Sequence, residues 1–546
     1  MSVSTPSPTT TSPTMHTTKI AFSQVPQLSK KDQAYAALDP QLRPFYRYSP
    51  TLESFAQALK DKAQDPIDRE LLVTVLQDQY ATLPLGAELT HNIAKLRDER
   101  TFTLTTAHQP SLFTGPLYYI YKIISTINLA ERLREAYPDY HFVPVFVTGG
   151  EDHDFEEANH ARVFGRLIQW QTEQRGSVGA MTTEGLEPVL NELEESLGTG
   201  EHADFIRQRV IQPYREYDRY STATIAMVHH LFGDRGLVVL NMNEPRLKRA
   251  FLPHLRTELF EQASEALVQE TVEALTEAGF KPQATPRRIN LFYLRAQLRE
   301  RIVEEEGQFR VLNTDYRFTR AEMLAELEAH PERFSPNVVM RPLYQESILP
   351  NLAYIGGGGE LAYWMERQRQ FDHFGLNFPI LIRRNSALWM DKSVAKRREK
   401  LGFGIEELFE DTEELVKRYV QRHAGESLDF SEQHQQLVAL FAAYQRSAKQ
   451  VDPSLEKTVL AERAKQEKAL GQLEGRLHRA EKQKHDTALK QLRSLREKLF
   501  PDNGLQERHD NFIGYYLKHG PAFFDHLYDK LDPLDKRFVI IEDQPD

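Results

Sequence analysis

Hydrophobic and polar positions alternate between two periods along this chain, and the switches between them define its elements. Phe102 to Thr106 reads as a buried strand. Tyr118 to Leu133 follows as a helix, with Ile120, Ile123, Ile124, Ile127 and Ala130 at three- and four-residue spacing on one face. Phe142 to Val147 is a second apolar strand of the kind found inside parallel sheets. Its Pro144 cannot donate to a ladder, so an edge or a bulge is expected there. Gly236 to Leu240 reads as another strand, and Asn290 to Leu294 as a weaker one. Strands alternating with helices predict an α/β fold with a parallel sheet.

Upstream, Lys19 to Asp98 is mostly helical, with turns at Pro40, Pro44, Pro50 and Pro66. Acidic helices such as Glu187 to Leu197 fill the stretch after Ala161. From Pro336 to Met390 the α/β character returns. There Val338-Val339-Met340, the loop Gly356 to Gly359, a helix from Glu360 to about Phe374 and the strand Phe378 to Ile382 follow in order.

From Asp391 to Phe500 proline almost vanishes and charges of both signs interleave. Leu470, Leu473 and Leu477, then Leu489, Leu492, Leu495 and Leu499, recur at steps of three and four, the seam of an antiparallel coiled coil or a helical bundle. Gly471 and Gly475 weaken the helix there. After Pro501 aromatic residues return, so the C-terminal segment 501–546 is expected to pack back on the main body. Residues 1–18, almost all Ser, Thr and Pro, predict a disordered tail, and Met15 is an alternative start.

The chain has 546 residues, more than one ordinary core holds. A formal charge of −11 argues against a general nucleic-acid binder. No apolar run reaches the roughly 20 residues that span a bilayer, and the expectation is a soluble, cytoplasmic protein without membrane partners. There is no cysteine, which excludes disulfides, thiolate metal sites and a cysteine nucleophile.

Polar groups cluster where the strands end. Glu151, Asp152, His153, Asp154, Glu156, Glu157 and His160 fall within ten residues after the second strand. Asp152, His153 and Asp154 are candidate catalytic groups, while Glu156 and Glu157 read as acids complementing a helix dipole. Glu156 and His160 at i,i+4, with His153 nearby, could also hold a divalent metal. The loop Ala107 to Pro116 joins a strand to a helix, where free backbone N–H groups can hold an anion. It lacks P-loop spacing, and Lys122 beyond it reads as a solvated lysine. Four glycines, Gly356 to Gly359, precede Glu360 and allow close approach to a ligand or a positive φ. Arg341 and Arg384 could clamp a carboxylate or phosphate.

Four strings carry a family resemblance: HQPSLFTGPLYYIYKIIS from His108, PVFVTGGEDHDFEEANH from Pro144, RPLYQESILPNLAYIGGGGELAYW from Arg341, and LQER from Leu505. Together they resemble the bacillithiol-synthesis cysteine-adding enzyme family, BshC, from about Phe22 to the C-terminus. The resemblance implies a Rossmann-like, nucleotidyltransferase-type core over residues 19–390 with a connecting insertion at about 161–290. It also implies a long α-helical coiled coil over 391–500 and a homodimer built through it. The implied reaction joins L-cysteine to glucosaminyl-malate through an amide, with ATP as the simplest activating cofactor and no metal.

On that reading His153, Asp154 or Asp152 takes the amine proton. His108, Gln109, Thr114, Gly115, Arg341, Gln345 and Arg384 bind substrate, and Gly356, Gly357, Gly358 and Glu360 bind nucleotide. Two departures stand out. The family has Gly-Gln-Gln-(Pro/Ala)-Gly where this chain has Ala107-His108-Gln109-Pro110-Ser111, and a proline where it has Arg383. A metal-dependent hydrolase or transferase using His153 and His160, and a non-catalytic dimeric scaffold, are the competing readings.

Overall fold

The computed structural model describes residues 15–424 and 429–543. It divides into two compact units, one of Thr17–Leu388 with Leu505–Ile541, the other built on Trp389–Gly504. Of the C-terminal segment, Leu505–Ile541 belongs to the first unit. Of the predicted tail, residues 1–14 lie outside the described residues, but Met15–Ala21 is a strand. Ordered chain thus begins before Lys19, because Met15, Ile20 and the threonines between them carry β propensity that the Ser/Thr/Pro composition masked.

The first unit is organised by five parallel strands: β1 (Thr101–His108), β2 (His141–Thr148), β3 (Val238–Asn241), β4 (Asn351–Gly356) and β5 (Ile380–Arg383). Their order across the sheet is β3-β2-β1-β4-β5, and every pairing is parallel. This is the doubly wound Rossmann order, whose direction reverses between β1 and β4. Nearly all side chains of β1, β2 and β4 are buried, as strands covered on both faces require. Pro144 lies one residue before the point where β3 begins to pair with β2, at Val145↔Val238. β2 is an interior strand whose register with β1 runs unbroken through Leu104↔Pro144, so the edge or bulge expected at this proline is not found.

Helix α1 (Leu117–Ala136) connects β1 to β2. Apolar residues surround it on most sides, and Ile120, Ile123, Ile124, Ile127, Ala130 and Leu133 are all buried. Helix α2 (Arg341–Ile348) leads into β4, and the short α3 (Gly358–Trp364) leaves it. The single helix expected from Glu360 to Phe374 is two, because Met365 to Arg367 interrupt it before Gln368–Phe374. Val338-Val339-Met340 is a turn that ends in α2.

The inserted material differs from expectation in extent. Val238–Asn241, inside the predicted 161–290 insertion, is the edge strand β3 of the core. One insertion precedes it and carries the hairpin His160–Val163 with Arg166–Gln169. The other follows it and contains a five-stranded sheet that runs on to Phe334–Pro336 and includes Leu291–Arg295 and Leu298–Glu305. Four apolar residues bounded by polar ones look alike in a core edge and in an insertion.

In the second unit, Ser431–Val451 and Glu456–Lys484 form an antiparallel helical hairpin around the turn Pro453–Leu455. His434 reaches Glu474 at 2.8 Å and Gln445 donates to Glu456 at 2.8 Å, fixing the antiparallel register. The two leucine runs part company here. Leu489, Leu492, Leu495 and Leu499 are buried in the helix Asp486–Leu499, whereas Leu473 and Leu477 are exposed on the hairpin. Among the described residues no helix is long and apolar enough to cross a membrane.

Candidate functional site

A cleft of about 530 Å³ opens at the carboxyl ends of β1, β2 and β4, at the point where strand order reverses. His108, Gln109, Lys122, Asp152, Arg341, Arg384 and Glu360 line it, together with Gly357 and Gly359. The strand-end reading placed candidate residues where this cleft opens. Among the wall residues it passed over are Tyr118, Arg299, Tyr363 and Arg508, and it read Glu157 only as complementing a helix dipole.

The β1 loop is shaped by Phe113, Thr114 and Gly115, three successive residues with positive φ (52°, 72° and 60°). Two are not glycine, so the conformation is strained and needs outside support. Asn511 supplies it, donating to the Phe113 carbonyl at 2.7 Å and to the Gly115 carbonyl at 2.6 Å. Thr114 is fully buried, and neither it nor Gly115 reaches the cleft. Their expected substrate role is replaced by a structural one, turning the chain so that His108 and Gln109 face inward. Ser111 fits as a non-glycine residue, and its hydroxyl lies 3.3 Å from His108 Nδ1.

Lys122 corrects the solvated reading. Its side chain is 3% exposed, and Nζ lies 2.6 Å from Glu360 Oε2 and donates to the Ala107 carbonyl at 2.9 Å. Burial pulls its pKa below the ordinary lysine value, with Glu360 opposing. Glu360 also accepts from the Tyr354 hydroxyl at 2.6 Å and from the Gly357 N–H at 2.9 Å. Burial works to raise its pKa, but Lys122 and these donors more than offset that and hold it at about 2. Glu360 is therefore an anchor for the cleft wall, already saturated by the protein.

No residue of Gly356 to Gly359 has a positive φ, so the glycines serve space rather than backbone freedom. A Cβ on Gly358 would fall 2.2 Å from the Asp32 carboxylate, and one on Gly356 would strike the Tyr354 ring at 2.9 Å. These two face protein and do not line the cleft. Gly357 and Gly359 do, and they leave the wall open there. Asp32 is held by Arg383, which donates from Nε at 2.8 Å and from an Nη at 3.0 Å. The family's proline position thus carries a buried ion pair that backs the glycine loop.

Arg341 and Arg384 form the cationic side. Arg341 donates to Gln345 at 3.1 Å and to the Tyr363 hydroxyl at 3.0 Å. Gln345 is buried behind it and positions the guanidinium without lining the cleft. Arg384 pairs with the buried Glu507 at 2.8 Å, while its buried Nε has no partner. Burial would raise the Glu507 pKa, but Arg384 outweighs it and keeps the carboxyl below its usual range. Glu507 and Arg508 come from the LQER string, which explains how a distant C-terminal motif joins the site.

The acidic side follows β2. Gln109 donates to Asp152 Oδ2 and to Glu157 Oε2, both at 3.2 Å. Glu157, expected only to complement a helix, lines the cleft. Burial and the nearby Asp154 and Asp152 raise its pKa above the usual carboxylate value. Asp154 instead caps the helix Phe155–Ala158 by accepting from the Glu157 N–H at 3.3 Å. His153 lies in a shallow depression beside the cleft. Its Nδ1 accepts from Arg299 at 2.6 Å, and since a guanidinium only donates, the ring proton sits on Nε2. Arg299 reaches in from the second insertion on Leu298–Glu305. His160 Nδ1 faces the Glu156 carbonyl at 3.0 Å. Among the described residues no three His, Asp or Glu side chains are grouped to hold a metal ion.

Residues 15–385 match the model of the N-terminal Rossmann-like domain of bacillithiol biosynthesis BshC, and residues 387–542 that of its C-terminal coiled-coil domain. The chain belongs to the BshC family. Relatives named "Putative cysteine ligase BshC" include one from Christiangramia forsetii, 41% identical over 93% of this chain and 95% of its own. Another, from Flavobacterium psychrophilum, is 40% identical over 97% and 100%. A third, from Salinibacter ruber, is 34% identical over 85% and 87%. The chain is thus an enzyme of a ligase family, with a Rossmann-like core and a helical coiled-coil domain.

Proposed function

We propose that the cleft joins the carboxyl of L-cysteine to the amine of glucosaminyl-malate, the amide-forming step of bacillithiol assembly. The relatives' name supports the cysteine ligase reading. The observation that carries it is the two-ended cleft at the topological switch point. Arg341, Arg384 and Arg508 form an end suited to carboxylates, and Asp152 with Glu157 an end suited to an amine. Arg341 and Arg384 would hold the malate carboxylates. Glu157, with its raised pKa, is better suited to accept the amine proton than Asp154, whose carboxylate caps a helix, or His153, which lies outside the cleft.

A carboxylate and an amine do not condense in water, and ATP supplies a leaving group that makes the cysteine carboxyl electrophilic. The residues present fit phosphate: Arg508 lines the cleft, and the wall at Gly357 and Gly359 carries no side chain. The exposed leucines of the helical hairpin support a homodimer formed through it. Cytoplasmic residence fits a thiol-making enzyme that has no cysteine of its own. Quantifying low-molecular-weight thiols in a deletion strain tests the reading. Glucosaminyl-malate is expected to accumulate as bacillithiol disappears, and unchanged bacillithiol would refute it.

A further inference from the structure

Tyr118, in the first turn of α1, lines the cleft. The Arg384 guanidinium lies over its ring at 5.2 Å, and the charge of Glu157 also reaches its phenol. Its hydroxyl is 3.0 Å from His108 Nε2. The direction of that hydrogen bond follows from the other side of the imidazole. His108 Nδ1 faces the Gln109 carbonyl at 3.0 Å, which only accepts, and the Ser111 hydroxyl at 3.3 Å, whose proton goes to that same carbonyl at 3.4 Å. Nδ1 therefore carries the ring proton, Nε2 accepts, and Tyr118 O–H is the donor. Burial and the adjacent Lys122 hold the His108 pKa down at about 4, so the ring stays neutral at working pH. The phenol's one proton is thus committed to His108, and the cleft meets only oxygen lone pairs.

An oriented lone pair selects for a ligand that donates. The geometry points to Tyr118 as the acceptor of an N–H from the attacking amine, with His108 as the positioning residue that fixes the phenol's direction. This assignment rests on the ligase reading of the same cleft. It places the amine between Tyr118 and Glu157, so that one N–H is held while the nitrogen lone pair faces the activated carboxyl.

Steady-state kinetics with two acceptors, glucosaminyl-malate and hydroxylamine, test it in the full-length enzyme. Hydroxylamine is small and intrinsically nucleophilic, so its capture of the activated carboxyl needs little orientation. Tyr118→Phe is expected to lower kcat/KM for glucosaminyl-malate about ten-fold more than for hydroxylamine, the scale of one lost hydrogen bond. His108→Leu should reproduce that split. His108→Gln, whose amide oxygen can accept the phenol proton, should restore most of what His108→Leu loses. Equal losses on both acceptors, or no loss, would overturn the contact while leaving the ligase reading intact. A wild-type enzyme that forms neither amide nor hydroxamate would overturn the ligase reading and the contact with it.

Discussion

Glu360→Gln isolates the charge that keeps Lys122 inside the protein. The amide is nearly the same shape. Its oxygen can still face Lys122 and the Gly357 N–H, and its NH2 can turn to the Tyr354 hydroxyl, so only the negative charge is removed. A carboxyl held at about 2 instead of its ordinary 4.5 is favoured in its ionised form by about 3 kcal/mol. That agrees with the roughly 3–5 kcal/mol lost when one partner of a buried pair is removed. The variant should therefore lose about 3 kcal/mol in urea denaturation followed by tryptophan fluorescence, since Trp364 closes the helix that Glu360 opens. Lys122→Met should cost a similar amount. The double variant should cost clearly less than the two single losses combined, because no buried charge is left unpaired.

The pH dependence has a definite sign. Glu360 titrates lower in the folded chain than in the unfolded one, so its contribution is complete above pH 4.5 and drains away as pH falls toward about 2. The stability gap between wild type and Glu360→Gln should narrow across that window. A loss below about 1 kcal/mol at neutral pH, or strictly additive single variants, would refute the buried ion-pair account.

Asp152→Asn should reduce amide formation at least ten-fold more than His153→Ala, measured as kcat/KM, because Asp152 lines the cleft and His153 does not. Arg383→Ala, which strands Asp32 against Gly358, should lower stability by about 3–5 kcal/mol in the same denaturation assay. The homodimer proposed through the hairpin predicts a dimer for wild type and a monomer for Leu473→Lys with Leu477→Lys in light scattering, with far-UV circular dichroism unchanged, since both side chains are exposed on the hairpin.

The parallel core was legible because buried strands leave unbroken apolar runs and α1 leaves a 3.6-residue period. The strand ends pointed to where a cleft opens, and Gln109, Asp152, Arg341 and Arg384 are among the residues that line it. What was illegible depends on partners distant in sequence. Lys122 reads as a surface lysine until Glu360, far along the chain, is brought to 2.6 Å. Thr114 and Gly115 look like ligand-loop residues until Asn511 is seen bonding to that loop from the C-terminal segment. The glycine run signalled close approach correctly, yet at Gly358 the approaching group is Asp32 and not a ligand. Arg299 lies on an inserted strand with no local signal at all.

Reconstitution tests directly whether this cleft makes an amide from cysteine. Purified enzyme should be incubated with L-cysteine, glucosaminyl-malate and ATP, and the product followed by mass spectrometry for wild type and for Arg341→Met with Arg384→Met. Wild type should give bacillithiol, and the double variant at least a hundred-fold less, because it loses two charge-assisted carboxylate contacts. Equal product from both, or none from wild type while glucosaminyl-malate is hydrolysed, would contradict the ligase reading.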